Sequence, residues 1–383
     1  MNTQRTSNIE LISTRMLIAL LVLALLLTAC TQQPQPARVE EIAFQSGEFS
    51  LVGDLLLPEG SGPFPVILFL EGSGPVDRYG WMSIPGLVLQ AGYATFIWDA
   101  PGLGESTGHY DDARIIDQRA GILLAAIDAV RERPEINPQW IGLLGQSQGG
   151  WVISRVLAET DEVAFVICIA CPGMSGRDEM AYQITRMAFC DDPAAEADPQ
   201  VAALLAELRS AAQYDIYEEY LHYWEVLDEL AELAPADLQG RSPVAQETWE
   251  ANPPEPVNTW DPARGIAEIG IPILAIFGDR DRNLDPYRGE HAWEQALAQG
   301  GNPQSRLAVL PGIDHSMFPS QTGCPAEMGQ LIEEYIRSKG YDSFDEFYQA
   351  YREDPYPPGA FADFPWAPEA LDLTDAWLRD LHP

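Results

Sequence analysis

The chain carries little positive charge and almost no lysine. Its 383 residues include 22 Lys or Arg against 58 Asp or Glu, a formal net charge of −36. Because a field of this sign repels phosphate backbones, we expect no nucleic-acid partner. Lys339 is the only lysine, so the amine of Schiff-base enzymes and the lysine of phosphate-binding loops are missing. The composition therefore argues against pyridoxal and nucleotide-triphosphate chemistry.

Histidine and cysteine are also scarce, with five of each. No His-Glu-x-x-His pattern occurs, and we expect neither a metal nor an organic cofactor. Cys168 and Cys171 form a Cys-x-x-Cys pattern, but Cys168 lies in an apolar strand, where residues three apart face opposite sides of the sheet. Cys171, Cys190 and Cys324 are candidates for a disulfide in an oxidising compartment, and the sequence leaves the pairing open.

The longest apolar run lies near the N-terminus, at residues 16–27, after two arginines. It is too short to cross a bilayer comfortably and is typical of a secretory signal. The run ends in Leu-Thr-Ala-Cys30, which resembles the bacterial lipobox. That resemblance implies a signal peptide at 1–29, a tether at 30–37, and a lipid on Cys30 that anchors an extracytoplasmic protein to a bacterial membrane. The alternative is an uncleaved anchor helix.

From residue 39 onward, short β-rich runs alternate with helical patterns, which predicts an α/β fold whose sheet carries helices on both faces. The predicted strands are residues 39–44, 49–57, 64–70, 93–98, 140–144, 163–170, 271–277 and 306–310. An acidic stretch of helical patterns interrupts the alternation after residue 171. Its aromatic stripe at Tyr217, Tyr220 and Trp224 has the spacing of residues that pack against the domain beneath, or that wall a substrate pocket.

One motif indicates covalent catalysis. Gly145-Gln-Ser147-Gln-Gly149 directly follows a buried strand and precedes a helical pattern. A serine in such a sharp turn is lifted clear of the sheet, and glycines are needed on both sides because larger side chains would collide. The start of the helix favours negative charge as it develops. Ser147 is the predicted nucleophile.

A serine nucleophile needs a base, and a base needs a carboxylate to orient it. His315 follows the last strand, whereas the other histidines lie in helical patterns, at the chain end or after the fourth strand; these are His109, His222, His291 and His382. The Gly-x-x-Asp spacing after the seventh strand favours Asp281 as the acid. Asp279 and Asp285 are the alternatives.

The developing oxyanion needs two backbone N–H donors. The residue after the nucleophile, Gln148, supplies one. The glycine-containing loop at 71–75 supplies the other, for which we select the N–H of Ser73. An alternative role for Ser73 is direct contact through its Oγ.

The order Ser147, Asp281, His315, together with these loops, resembles the α/β-hydrolase fold family. The resemblance is strongest to its branch of esterases, dienelactone-hydrolase-like and acyl-transferase-like enzymes. It implies a mostly parallel sheet of about eight strands, a core at 38–171 and 261–383, and a helical cap at 172–260. The family usually has His where this chain has Glu71. That carboxylate would oppose the oxyanion unless it points away or pairs with a cation such as Arg78.

These features predict a serine hydrolase that cleaves small-molecule carboxylic esters through an acyl-enzyme, without an obligate protein partner. Two alternatives use the same fold. A serine aminopeptidase would grip a substrate amine with Glu218 or Glu219, and a non-catalytic lipoprotein would only bind a ligand.

Overall fold

The computed structural model describes residues 38–82, 84–110, 114–190, 192–196, 198–212, 214–233, 243–251, 262–300, 302–356 and 364–381. The predicted signal peptide, the tether and Cys30 lie outside these residues. Strands within them are β1 Arg38–Ser46, β2 Phe49–Leu57, β3 Phe64–Leu70, β4 Ala94–Trp98, β5 Ile136–Gln146, β6 Phe165–Ile169, β7 Ile273–Gly278 and β8 Arg306–Leu310. Helices within them are α1 Ile84–Gln90, α2 Ile115–Arg131, α3 Gly149–Leu157, α4 Gly176–Met187, α5 Pro193–Glu196, α6 Pro199–Ala211, α7 Tyr217–Leu233, α8 Gln246–Ala251, α9 Pro262–Ala267, α10 Pro286–Gly300, α11 Pro325–Ser338, α12 Phe344–Glu353 and α13 Pro368–Leu381.

All eight of these strands form one sheet in the order β1-β2-β4-β3-β5-β6-β7-β8. Strand β2 runs antiparallel to both of its neighbours, and the strands from β4 to β8 pair in parallel. The predicted fold class is therefore confirmed. Because the carboxyl ends of the parallel strands meet at one edge, the loops that follow β3, β5, β7 and β8 lie together there.

Side chains on β3 alternate between two apolar cores, which explains why the whole strand is hydrophobic. Val66, Leu68 and Leu70 join helices α2, α3, α9 and α10 on one face. Ile67 and Phe69 join helices α1 and α13 on the other face. Because apolar clusters cover both faces, the sheet holds the carboxyl ends of its strands in fixed register.

The residues between β6 and β7 form helices, of which α4, α6 and α7 share a separate apolar cluster. The aromatic stripe of α7 belongs to this part of the chain: Trp224 packs against that cluster, and Tyr220 stacks on Trp249 of α8. The expectation that the stripe packs against the domain beneath is wrong. The helices of this segment bury it among themselves because α6 and α8 supply apolar partners.

After β8, helices α11 and α12 build a fourth cluster of mostly aromatic side chains with Phe318 and Phe364. This cluster contacts the loop after β3 through Met82 and Tyr79. Among the described residues no helix is both long and apolar enough to cross a membrane.

Candidate active site

Ser147 lies in the sharp turn between β5 and α3, with a backbone φ of 48°. This left-handed conformation is uncommon for a residue with a side chain and raises Ser147 above the sheet. A Cβ on Gly145 would lie 2.6 Å from Cδ1 of Ile153, and one on Gly149 would lie 3.1 Å from the carbonyl oxygen of Leu70. Glycine is favoured at both flanking positions because a side chain there would crowd these neighbours.

The turn is held from the neighbouring strand. The N–H of Ser147 donates to the carbonyl oxygen of Ile169 at 3.0 Å, and its own carbonyl accepts the N–H of Gly150 at 2.9 Å. Cys171 lies beneath the same turn, where its thiol donates to the carbonyl of Gly145 at 3.2 Å. These contacts fix the backbone, while the Ser147 side chain remains half-buried at the surface of the site.

Asp281 and His315 meet at the ends of β7 and β8. Oδ2 of Asp281 lies 2.7 Å from Nδ1 of His315. The other carboxylate oxygen accepts the N–H groups of Asn283 and Leu284 at 2.7 and 2.8 Å. Asp281 is buried, and the His315 side chain is 13% exposed. With Oδ1 held by two backbone donors, Oδ2 is left to orient the imidazole.

The pKa of His315 depends on its burial and on its contact with Asp281. Burial alone lowers the pKa of His315, but the charge of Asp281 and the hydrogen bond to it raise the pKa by more. The net result is an imidazole whose pKa is raised above its ordinary value of 6.5. Such a group accepts a proton readily, as a general base must.

The alternative acids lie elsewhere. Oδ1 of Asp279 accepts the N–H of Gly312 at 2.6 Å. Oδ1 of Asp285 accepts the N–H of Arg288 at 3.1 Å, at the start of α10. Of the three candidate aspartates, Asp281 is the one that contacts His315. His382 lies outside the described residues, and the remaining histidines are exposed.

The loop after β3 lies against the serine turn because β3 and β5 are neighbours in the sheet. A Cβ on Gly72 would lie 3.3 Å from Cβ of Ser147. Ser73 follows directly and is exposed, and Gln148 is the residue after Ser147. The two predicted oxyanion donors therefore belong to segments that flank the serine.

Glu71 is buried, and its partner is not the one expected. Arg78 is fully occupied by other carboxylates, including Asp54 at 2.7 Å and Asp99 at 3.0 Å. A carboxylate oxygen of Glu71 instead lies 3.4 Å from Nη2 of Arg119, on α2, and accepts the hydroxyl of Tyr110 at 3.3 Å. The expected pairing of Glu71 with Arg78 is wrong, because the Arg78 guanidinium binds Asp54 and Asp99 instead.

Sequence reasoning missed Arg119, although a signal was present. Arg119 lies three residues after Ile116 and four before Leu123, within the apolar stripe of α2. A charged residue on the buried face of a helix is costly unless it is paired. Such an interruption of the stripe marks a residue with a specific partner in the interior.

Helix α4, the first after β6, contacts the loop that carries Asp281. The Tyr182 hydroxyl donates to the carbonyl oxygen of Asp281 at 3.0 Å. A carboxylate oxygen of Glu179 accepts the N–H of Asp285 at 3.2 Å. Burial raises the pKa of Glu179 to about 8; the hydrogen bond from the backbone of Asp285 opposes this increase, and the charges of Asp281 and Asp285 add to it. The sequence contained no signal for these contacts, which join segments about a hundred residues apart.

A disulfide joins Cys190, just after α4, to Cys324, just before α11. It links the same helical segment to the region that follows His315. Cys168 and Cys171 are free and buried. Both belong to the same apolar cluster, contrary to the expectation of opposite faces, because β6 ends at Ile169 and the left-handed φ of 46° at Ala170 turns the chain.

Glu218 and Glu219 are exposed on the first turn of α7. Oε2 of Glu219 accepts the N–H of Asp215 at 2.8 Å and so caps its own helix. Among the described residues, no three His, Cys, Asp or Glu side chains form a group that could hold a metal ion.

Comparison with known proteins adds a family and distant relatives. Residues 67–327, more than half of the chain, match the model of the Alpha/beta hydrolase family. Esterase EstD of Thermotoga maritima is 23% identical over 308 residues, which are 76% of this chain and 64% of that protein. The uncharacterized protein YfhR of Escherichia coli (strain K12) is 27% identical over 132 residues, 33% of this chain and 45% of that protein. The chain thus spans less than two thirds of the length of these curated relatives.

Among solved structures, the esterase Pf2001 of Pyrococcus furiosus aligns with a TM-score of 0.45 and 16% identity. The alignment covers 79% of this chain and 90% of that one.

Proposed function

The chain belongs to the alpha/beta hydrolase family, and from that premise we propose that it is a serine esterase acting on small-molecule carboxylic esters. The observation that carries this proposal is the bond of 2.7 Å between Asp281 and His315, at the sheet edge where Ser147 stands in a strained turn. A buried acid that orients an imidazole, at the sheet edge that also carries a serine in a raised turn, matches the set of groups that acyl transfer needs.

In the proposed reaction, Oγ of Ser147 attacks the ester carbonyl carbon while His315 accepts the hydroxyl proton. The negative charge on the carbonyl oxygen is stabilised by the N–H groups of Ser73 and Gln148. The tetrahedral intermediate then collapses, and the bond to the alcohol breaks as His315 returns the proton to the departing oxygen. Asp281 stabilises the imidazolium throughout.

The remaining acyl-enzyme is hydrolysed by the same groups. His315 takes a proton from water, whose oxygen attacks the acyl carbon, and returns that proton to Oγ of Ser147 as the carboxylic acid leaves. The cycle consumes one ester and one water and yields one alcohol and one acid. It needs no cofactor.

We place this activity outside the cytoplasm, on a protein anchored through lipidated Cys30 and held by the tether at 30–37. The disulfide between Cys190 and Cys324 supports this location, since structural disulfides are rare in reducing compartments. We assign the segment 172–260 as a cap beside the site, on the basis that α4 docks on the loop of Asp281.

The test is covalent labelling of the full chain in detergent with a fluorophosphonate, followed by peptide mass spectrometry. We expect one adduct on Ser147 and loss of p-nitrophenyl ester hydrolysis in Ser147→Ala. Ser50→Ala is the matched control, because it deletes an Oγ whose partner is the Gln45 side chain of the neighbouring strand, so its activity should persist. Wild-type rates in Ser147→Ala would refute the proposal.

A panel of aminoacyl arylamides run beside the esters decides between ester and amide cleavage. We expect ester turnover to exceed amide turnover, since Glu218 and Glu219 are exposed on the first turn of α7 and Oε2 of Glu219 is already bound to the N–H of Asp215. The absence of both adduct and turnover in a folded wild type would favour a ligand-binding role instead.

A further inference from the structure

A single buried guanidinium contacts both segments that flank Ser147. Arg119 is 2% exposed. Its Nη1 donates to the carbonyl oxygen of Gly72 at 3.1 Å and to Oε1 of Gln148 at 2.6 Å. Its Nη2 donates to the carbonyl oxygen of Glu71. Gly72 belongs to the loop after β3, and Gln148 to the turn after β5.

We propose that Arg119 is a positioning residue that aligns the two oxyanion donors, an inference that rests on the proposed function. It does not touch the substrate in this scheme. It acts by holding the two backbone segments that carry the N–H groups of Ser73 and Gln148.

The effect on Ser73 follows from peptide geometry. The carbonyl of Gly72 and the N–H of Ser73 belong to one planar trans peptide unit, in which the two bonds point in opposite directions. Because Arg119 holds the carbonyl toward itself, the N–H of Ser73 is directed away from the guanidinium. Arg119 also donates to the carbonyl of Glu71 and so holds the preceding peptide unit. With two successive peptide units held, the loop is restrained from turning about either contact.

The second donor is restrained through its side chain. Gln148 carries the other proposed N–H, and its amide oxygen is bound by the same Nη1 that binds Gly72. One guanidinium therefore links the two segments, through the backbone of Gly72 on one and through the side chain of Gln148 on the other. The planar fork of arginine suits this task, whereas a lysine ammonium is a point charge that lacks the fork.

The same contacts explain why Glu71 is tolerated beside the site. A buried guanidinium needs a counter-charge, and the carboxylate of Glu71 supplies it at 3.4 Å. The pair is neutral as a unit, so the carboxylate does not present an uncompensated negative charge to the oxyanion. Tyr110 adds a hydrogen bond to the same carboxylate at 3.3 Å.

The test compares Arg119→Lys and Arg119→Met with Arg131→Met in the full-length protein. Arg131 lies on the same helix, is 37% exposed, and pairs with Asp128 and Glu162, away from the site. We expect kcat for a p-nitrophenyl ester to fall about 10²-fold in both Arg119 variants, the size of one lost oxyanion donor, while KM changes little. A trifluoromethyl ketone, which forms the tetrahedral adduct, should bind more weakly by a similar factor. Arg131→Met should match the wild type in all three measurements.

Thermal unfolding shows which variants are folded. If the folded Arg119→Lys protein retains wild-type kcat and ketone affinity, the inference is wrong. Should neither Arg119 variant fold, Gln148→Ala tests the same contact from its other end and keeps the backbone N–H. Wild-type kcat in Gln148→Ala would then overturn the inference, and a reduced kcat at unchanged KM would support it. An inactive, unlabelled wild type would instead refute the proposed function itself.

Discussion

The hydroxyl of Tyr182 donates a hydrogen bond of 3.0 Å to the backbone carbonyl of Asp281. This bond joins α4 to the loop that positions the proposed catalytic acid. Both groups are buried, so the carbonyl has no water to replace a lost donor. The helix that begins the predicted cap is thus part of the support of the site.

Removing the Tyr182 hydroxyl should weaken the attachment of the Asp281 loop to α4. We expect Tyr182→Phe to lower the free energy of unfolding by about 1–3 kcal/mol, because a buried carbonyl loses its donor. It should also reduce kcat severalfold, with urea unfolding and ester kinetics as the measurements. Tyr217→Phe is the matched control, since the Tyr217 hydroxyl donates to the Val244 carbonyl at 2.9 Å in an exposed position. Equal effects of the two variants on kcat would contradict this role for Tyr182.

The identity of the acid is testable by two isosteric changes. Asp281→Asn should lower kcat on the order of 10⁴-fold, because the neutral amide cannot stabilise the imidazolium and favours the wrong tautomer. Asp279→Asn should change kcat less than about threefold, since its amide oxygen still accepts the N–H of Gly312. A larger loss in the second variant would move the assignment to Asp279.

The pH dependence of kcat/KM reports the base. His315 must be neutral to accept a proton, so kcat/KM should fall as the pH drops through its pKa. Since Asp281 raises that pKa above 6.5, the midpoint of the acid limb should lie above 6.5. In Asp281→Asn the negative charge is gone, and the midpoint of the residual activity should move to lower pH. An unmoved midpoint would exclude Asp281 as the cause of the shift.

Glu179 should make stability fall as the pH rises. Its pKa is raised by burial from 4.5 to about 8, so its contribution is full below 4.5 and is lost as the pH passes through about 8. Glu179→Gln removes the ionisation and keeps an acceptor for the N–H of Asp285. Its unfolding free energy should therefore decline less between about pH 6 and pH 9 than that of the wild type. Glu218→Gln, at an exposed position, is the control. If the unfolding free energies of the wild type and Glu179→Gln change in parallel with pH, the prediction is wrong.

The disulfide between Cys190 and Cys324 spans 134 residues of sequence and encloses both Asp281 and His315. A cross-link over so long a loop constrains the unfolded chain, typically by about 2–5 kcal/mol. Replacing both cysteines by serine should lower the unfolding temperature. Dithiothreitol should lower that of the wild type and leave the double variant unchanged. A reductant effect of equal size in both would show that another bond is involved.

Much of the fold follows from short-range patterns. The alternation of apolar strands with helical periodicity predicted the eight-stranded α/β sheet, because each element must bury an apolar face against its neighbours. Boundaries were less well determined: β5 begins at Ile136, whereas its apolar pattern starts at residue 140. Ile136 pairs with Phe64 of β3, and the register shifts before Val66 pairs with Ile141, so the strand begins ahead of its apolar pattern.

Some residues of the candidate site were likewise predictable from the sequence, and others were not. Ser147, Asp281 and His315 were selectable from sequence because each follows a strand, and the ends of parallel strands converge at one edge of a sheet. The prediction of these three candidates thus depends on local motifs and on their order along the chain.

Only the tertiary structure decided which partners surround them. Arg119 in place of Arg78 as the partner of Glu71, the pairing of Cys190 with Cys324, and the docking of Tyr182 on Asp281 all join segments distant in sequence. Such contacts leave no periodicity, since they depend on how helices lie across the finished sheet. The sequence therefore determined which groups are available for chemistry, and the packing of α2 and α4 decided what holds them in place.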